Sequence, residues 1–327
     1  MKRKYRSGFV SILGRPNAGK STLLNALVGE KIAIVSDKPQ TTRTTVQGVL
    51  SKPEGQVVFL DTPGIHRTDT QLNKRMMDAV RTGLDARDLL LFVIDAARPD
   101  LDQQRQALEF ITKSETPVVL VLNKVDRVAD KRELLPLIER CMELHPFVDP
   151  VPLSALHEDN LEALHKVIFQ YLPKGPQYFP DDYLTDQPER FLVGELIREK
   201  ILQLTHAEVP HAVAVLIEQW EEKGKLTRIS AQVLVERSGQ KAIVIGAKGE
   251  MLKRIGTEAR QEIEALLGVK VFLELFVKVS EGWRDKANVL NELDWRTQMT
   301  ARNVLEAGSE TPAAGEPGTA SKGKKKR

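Results

Sequence analysis

One stretch, Gly14-Arg15-Pro16-Asn17-Ala18-Gly19-Lys20-Ser21, constrains the fold of this chain more than any other. It follows the apolar run Phe9 to Leu13 and precedes the helix-forming Thr22 to Leu27, so it reads as strand, glycine-rich loop and helix. In that setting G-x-x-x-x-G-K-[ST] is a phosphate cradle, because backbone amides converge at a helix N-terminus where the helix dipole favours an anion. Gly14 and Gly19 let the loop wrap without Cβ clashes. Lys20 is expected to reach the β- and γ-phosphates of a nucleotide, the Ser21 hydroxyl to ligate Mg²⁺, and the segment through Thr22 to line the pocket.

A chain of 327 residues, 41% of them hydrophobic, can bury a large core and has the length of about two domains. The net charge of +3 says little about partners. Apolar runs such as Leu89 to Ile94 are far too short to span a bilayer. Lys2, Arg3, Lys4 and Arg6 precede an apolar run that Gly14-Arg15-Pro16 breaks at once, which argues against a signal peptide. The single cysteine, Cys141, forms no internal disulfide, and a reducing cytoplasmic setting follows. Its place in the amphipathic stretch Lys131 to Leu144 predicts a small buried apolar residue.

From Phe9 to Leu172, short apolar runs alternate with helical stretches, the pattern of a mostly parallel sheet with helices on both faces. Strands are expected at Phe9 to Leu13, Val57 to Leu60, Leu89 to Asp95, Val118 to Asn123 and Val151 to Leu153. Val46 to Leu50 pairs antiparallel with Val57 to Leu60 at one edge. Helices are expected at Ser21 to Leu27, Asp69 to Leu84, Leu101 to Thr112, Lys131 to Leu144 and Asn160 to Leu172.

Ligands of open α/β folds sit at the carboxyl ends of strands, and the remaining motifs lie there. Asp61-Thr62-Pro63-Gly64 ends a strand, with a carboxylate placed to hold Mg²⁺ through a water and a glycine amide placed to meet a γ-phosphate. Asn123-Lys124-Val125-Asp126 ends another. The Asp126 carboxylate can accept from both N1–H and the exocyclic amine of guanine, two donors that adenine does not present. Hydrogen bonds to a charged group are worth roughly 1.5–3 kcal/mol each, so this carboxylate separates GTP from ATP by orders of magnitude. Lys124 is expected along the base and Asn123 as a tie to the phosphate loop, with the backbone amides of Ser154-Ala155-Leu156 completing the pocket.

These four elements in this order resemble the translation-factor-type GTPases. Gln40-Thr41-Thr42-Arg43 falls where that family has its first switch, and the resemblance makes Thr42 the hydroxyl that joins Mg²⁺ while a γ-phosphate is present. One departure is informative. Ras-like members place a water-orienting glutamine after D-x-x-G, and here that residue is Ile65. The chain therefore resembles the branch with an aliphatic replacement, some of whose members use an asparagine corresponding to Asn17 to bind K⁺. Asn17 is either such a ligand or a residue that fixes the loop. The hydrolytic set on this reading is Asn17, Lys20, Thr42 and Gly64.

Pro173 to Pro188 carries four prolines (173, 176, 180 and 188) and reads as a linker, with Tyr178, Phe179 and Tyr183 placed to pin it. A helix at Glu189 to Leu204 and two strands, Ala212 to Glu218 and Thr227 to Glu236, follow. Ala242-Ile243-Val244-Ile245-Gly246-Ala247-Lys248-Gly249 then leads into a helix, Glu250 to Leu267, and Val269 to Val279 closes as a strand. This order resembles a KH domain of the bacterial arrangement. Its G-x-x-G lets a single-stranded nucleic acid backbone settle against Ile245 to Gly249, with Lys253 and Arg254 adding positive charge. Asp285 to Leu305 reads as a polar helix, and the stretch from Gly308 onward as a disordered basic tail.

The expected organisation is a nucleotide-binding domain over 1–172, a linker over 173–188, a KH-like domain over 189–284 and a C-terminal helix and tail over 285–327. That arrangement is similar to a family of bacterial ribosome-assembly GTPases. The resemblance implies a monomeric GTP/GDP switch that binds the 3′ end of 16S ribosomal RNA and assists 30S subunit maturation. It also implies a cytoplasmic location with peripheral association to the inner membrane. Three rivals stand beside it: a tRNA-modifying GTPase, a small-molecule kinase, and a membrane-signalling GTPase with an incidental C-terminal domain.

Overall fold

Leu89 to Ile94 and Val118 to Leu122 lack polar alternation, which a strand tolerates only when both of its faces are covered. The computed structural model, which describes residues 5–65, 69–85, 87–111, 115–206 and 208–297, covers them in that way. Its first half runs β1 (Arg6–Gly14), α1 (Lys20–Val28), β2 (Val46–Lys52), β3 (Gly55–Asp61), α2 (Gln71–Asp85), β4 (Leu89–Asp95), α3 (Leu101–Leu108), β5 (Val118–Asn123), α4 (Leu134–Met142), β6 (Pro150–Pro152) and α5 (Leu161–Tyr171). The strands form one sheet in the order β2-β3-β1-β4-β5-β6, in which β2 alone is antiparallel.

Period-two alternation splits β4 between two cores. Leu89, Leu91 and Val93 pack beneath α1 and α5 with Leu24 and Ile168, while Leu90, Phe92 and Ile94 pack beneath α2, α3 and α4 with Val80, Leu108 and Leu137. Cys141 is buried in the second core, as its position predicts.

Element ends differ from the sequence reading for local reasons. Helix α4 begins at Leu134 rather than Lys131, because Pro136 lacks an N–H and must lie in the first turn, and the Asp130 side chain caps a 3₁₀ turn over Lys131–Glu133 instead. Helix α3 stops at Leu108; Thr112, expected as its end, lies outside the described residues.

The proline-bearing segment 173–188 is held against the first half. Gln56, fully buried, accepts from the amides of Tyr178 and Phe179 (2.8 and 2.9 Å) and donates to the carbonyl of Phe179 (2.9 Å). The Tyr178 ring lies 5.4 Å from that of Phe9, and Tyr183 stacks on Phe179 at 4.6 Å.

The second half runs α6 (Glu189–Leu204), α7 (Val209–Ala212), β7 (Ala214–Lys223), β8 (Leu226–Val235), α8 (Ser238–Ile245), α9 (Glu250–Leu267), β9 (Lys270–Val279) and α10 (Ala287–Leu293). Strand β8 pairs antiparallel with β7 and parallel with β9. Helices α6, α8 and α9 cover one face around Val193, Ile197, Val233, Val244, Ile255 and Ile263. The stretch read as a polar helix from Asp285 breaks at Asp294 and is more apolar in its packing; residues 298–305 of that stretch lie outside the described residues. Trp283, Val289 and Leu290 bury against Leu72 and Met76 of α2, and the helix ends at Leu293. The basic tail and the N-terminal Lys2, Arg3 and Lys4 lie outside the described residues.

Candidate nucleotide site and nucleic-acid loop

The phosphate loop leaves β1 at Gly14 (φ +155°) and enters α1 through Gly19 (φ +92°). Lys20 is buried, and its ammonium donates to the carbonyls of Gly14 and Arg15, both at 3.2 Å. Burial pulls Lys20 below its ordinary value, opposed by the charge of Asp61. The cation is thus held inside the loop by groups that an anion can displace. Arg15 instead points outward to Asp100 at 3.3 Å, so only its main chain serves the cradle.

Three oxygens drawn from three segments meet beside the loop. Ser21 Oγ lies 2.7 Å from Thr42 Oγ1 and 2.7 Å from Asp61 Oδ2, and Thr42 Oγ1 lies 3.3 Å from the same carboxylate oxygen. Asp61 is fully buried, its other oxygen Oδ1 has no hydrogen-bond partner among the described residues, and burial raises its pKa against the pull of Lys20. A buried, half-orphaned carboxylate beside two hydroxyls is a hard-oxygen set suited to Mg²⁺. Thr42, not Thr41, joins this set; the Thr41 hydroxyl turns away to the Lys38 carbonyl at 2.6 Å.

Gly64 abuts Pro16 of the phosphate loop, where a Cβ would lie 2.9 Å from the proline ring, so a glycine is required there. Thr62 is tied to β1 through Ile12 O at 2.9 Å, and Ile65 packs into the core beneath α2. The Asn17 amide donates to the Asp37 carbonyl at 2.7 Å, joining the phosphate loop to the segment that bears Thr42.

At the ends of β5 and β6, Asn123 donates to Ala18 O (2.9 Å) and accepts from Lys124 N (2.8 Å) and Ala155 N (3.0 Å). One amide therefore joins three loops. Lys124 (φ +63°) reaches the carbonyl of Asn17 and pairs with Asp95 at 2.7 Å. Asp126 Oδ1 accepts from the Ser154 hydroxyl at 2.6 Å, which first among its neighbours holds this carboxyl below its ordinary value. Sequence reasoning gave Ser154 a role through its backbone and missed the hydroxyl. It also missed Asp95, whose only signal was its place at the end of β4.

In the second half, Gly246 (φ +73°) and Gly249 (φ +80°) bracket a turn between α8 and α9. Lys248 and Lys253 are exposed there and make no ion pair among the described residues, whereas Arg254 is paired with Glu258 at 2.8 Å. The free positive charge is thus carried by the lysines.

Two family models match: residues 9–124 fit the "50S ribosome-binding GTPase" model and residues 208–284 fit the "KH domain" model. GTPase Era of Geotalea uraniireducens is 52% identical over 294 residues, covering 90% of this chain and 99% of that protein. The chain belongs to the Era family of GTPases. GTPase Era of Geobacter sp. strain M21 is 50% identical over the same span. A solved Era variant from Aquifex aeolicus bound to GDP and AlF₄⁻ superimposes with a TM-score of 0.84 at 40% identity, covering 89% of this chain and 99% of that one. Era in complex with MgGDPNP and nucleotides 1506–1542 of 16S ribosomal RNA gives a TM-score of 0.85 at 41% identity and the same coverage. Similarity along nearly the whole length, including both halves, gives no support to the tRNA-modifying, kinase or membrane-signalling readings.

Proposed function

We propose that this Era-family chain is a Mg²⁺-dependent GTP switch that binds the 3′-terminal segment of 16S ribosomal RNA and assists 30S subunit assembly. The meeting of Ser21, Thr42 and Asp61 at one point carries the reading, because it joins the phosphate loop, the first switch and D-x-P-G only at the place where a γ-phosphate would lie. Ser21, Thr42 and Asp61 would hold Mg²⁺, which supplies charge neutralisation to the β- and γ-phosphates. Lys20 exchanges the Gly14 and Arg15 carbonyls for phosphate oxygens, Gly64 presents its amide to the γ-phosphate, and Asp126 reads guanine while Ser154 keeps it ionised.

Ile65 cannot orient water, so the attacking water is placed by other groups. Turning the Asn17 amide over sets its oxygen beside the Asp37 carbonyl, giving two oxygen donors for K⁺ next to the triphosphate. Equal hydrolysis rates in potassium and sodium buffers would refute this part of the reading.

The RNA strand is assigned to the Gly246–Gly249 turn, with Lys248 and Lys253 on its phosphates and the α8–α9 groove beneath its bases. The reading carries a monomer in the cytoplasm, with peripheral contact at the inner membrane surface. The test is paired: GTP hydrolysis with and without Mg²⁺, and crosslinking of the intact protein to a 16S 3′-end oligonucleotide with GTP or GDP loaded. Mg²⁺-dependent turnover together with nucleotide-dependent crosslinking is expected. Turnover of ATP at a comparable rate, or crosslinking indifferent to the nucleotide, would overturn it.

A further inference from the structure

Helix α6, the first helix of the second half, carries two adjacent charged residues that are almost wholly buried. Arg198 and Glu199 are each 1% exposed. Buried charges are expensive unless paired, and both of these are paired with the segment that bears Thr42.

Arg198 forms a two-pronged pair with Glu195 on its own helix, Nε at 2.7 Å and Nη2 at 2.6 Å, and the same Nη2 donates to the carbonyl of Thr41. Glu199 Oε1 accepts from the amide of Val35 at 2.7 Å, and Oε2 accepts from the Lys31 ammonium at 2.6 Å. Lys31 continues to Glu262 of α9 at 2.7 Å. Between these grips, Ile34 is buried in the hydrophobic core of the second half. Beyond Thr42, Arg43 donates to Val213 O at 2.7 Å and lies 5.5 Å from the Trp283 ring.

Residues 31–43 are therefore seated on the second half at Lys31, Ile34, Val35, Thr41 and Arg43. Thr42, at the end of that seat, is the one hydroxyl turned back to Ser21 and Asp61. We propose that Arg198 and Glu199 are positioning residues for GTP hydrolysis: they hold the first switch from the RNA-binding half so that the Thr42 hydroxyl faces the metal site. The proposal rests on the GTPase and RNA-binding reading above and names the contacts through which the two are joined.

The joint is built to part as well as to hold. Arg43 and Arg198 are like charges close together, and Arg43 Nε and Nη2 and Arg198 Nη1 find no hydrogen-bond partner among the described residues. Each unpaired guanidinium nitrogen costs free energy in the docked form and so narrows the margin by which docking is favoured, as a switch requires. Docking at Thr41 and Val35 orders Thr42, and because coupling is reciprocal, whatever draws α6 away lowers the site's affinity for Mg²⁺·GTP.

The test uses full-length protein carrying Arg198→Ala, Arg198→Lys or Glu199→Gln. Removing a charge-assisted hydrogen bond that acts only on the ordered switch is expected to raise the Mg²⁺ concentration for half-maximal GTP hydrolysis by roughly tenfold or more in Arg198→Ala. GDP affinity, which does not need Thr42, is expected to stay within about twofold of the parent. RNA titration is expected to change turnover in the parent and to leave the variant's turnover unchanged. Arg198→Lys and Glu199→Gln, which keep the stem and volume, should show the same shifts in smaller degree and stand in for Arg198→Ala if it does not fold. Parental Mg²⁺ dependence and parental RNA response in all folded variants would overturn the proposal. A parent protein with neither GTP hydrolysis nor RNA binding would instead overturn the functional reading on which it rests.

Discussion

The Asn123 side-chain amide donates to the carbonyl of Ala18 at 2.9 Å, and a Cβ placed on Gly19 would lie 2.3 Å from that same nitrogen. The Asn123–Asp126 loop and the Gly14–Ser21 loop are thus packed to contact, with no room for a methyl group between them. Gly19→Ala must displace Asn123 and also force an alanine into the left-handed region at φ +92°. Affinity for fluorescent GDP is expected to fall by about a hundredfold or more, as two charge-assisted bonds of roughly 1.5–3 kcal/mol lose alignment, while the melting transition persists. Affinity within tenfold of the parent would count against this packing.

The guanine contact itself is tested at Asp126. Asn in its place presents one acceptor and one donor instead of two acceptors, so preference should move from guanine to xanthine. Competition of XDP and GDP for the labelled site measures this, and an unchanged guanine preference in Asp126→Asn would remove Asp126 from the pocket.

The same carboxyl predicts a pH dependence. The Ser154 hydroxyl, ahead of opposing desolvation, holds Asp126 below the ordinary carboxylate range. A depressed folded value means that the stabilisation is complete above the ordinary range and is lost as pH falls through the depressed value. Guanine nucleotide binding should therefore survive acidification to near pH 4, about where a free aspartate is half protonated. Ser154→Ala should move the acid limb of the binding curve upward. An unmoved limb would show that the hydroxyl does not tune this group.

Burial pushes the Cys141 thiol up to about 11. The thiol stays protonated and enclosed at pH 8, so iodoacetamide should label the native protein at only a small fraction of the rate seen in denaturant. Because the folded value lies above the unfolded one, stability from this group is full at neutral pH and declines as pH rises toward 11. Rapid native labelling would contradict the packing of α4.

The two glycines of the G-x-x-G turn should separate. A Cβ on Gly246 would lie 2.6 Å from Met251 Cβ, so Gly246→Ala should lower the melting temperature as well as RNA affinity. Gly249 has open space around it but sits at φ +80°, so Gly249→Asp should cost a smaller melting loss than Gly246→Ala while its added negative charge weakens RNA binding by about tenfold. Lys248→Ala and Lys253→Ala should each reduce the slope of log affinity against log salt by about 1, as expected for lysines on phosphates. Equal melting losses for both glycine variants would place the strain elsewhere.

The first half was legible because its signals are local. The strand, loop and helix around Gly14 to Ser21 need only short-range pattern and turn chemistry, and the central strands announce themselves by apolar runs covered on both faces. The roles of Thr42 and Ile65 came through family resemblance, since a lone threonine in a polar loop has no period of its own. What stayed hidden depends on residues far apart in the chain. Nothing in the sequence around Arg198 or Glu199 says that their partners are Thr41, Val35 and Lys31, and burial of adjacent charges on a helix reads as a solvated face until the opposing loop is placed. Gln56 gave no warning that it would satisfy three backbone groups of the proline-bearing segment. Nothing in the sequence around Trp283 shows that its neighbours are Leu72 and Met76.

That last contact bears on how the protein is made. Leu72 and Met76 emerge early in synthesis, yet three of the residues that cover them, Trp283, Val289 and Leu290, follow about two hundred residues later. Throughout translation of the intervening two hundred or so residues the Leu72 and Met76 side of α2 lacks those contacts, a stage at which nascent chains are open to chaperones and to aggregation. Synthesis past Leu290 therefore covers part of the helix that follows D-x-P-G, so a molecule cut short before residue 283 would leave the Leu72 and Met76 side of α2 without that cover.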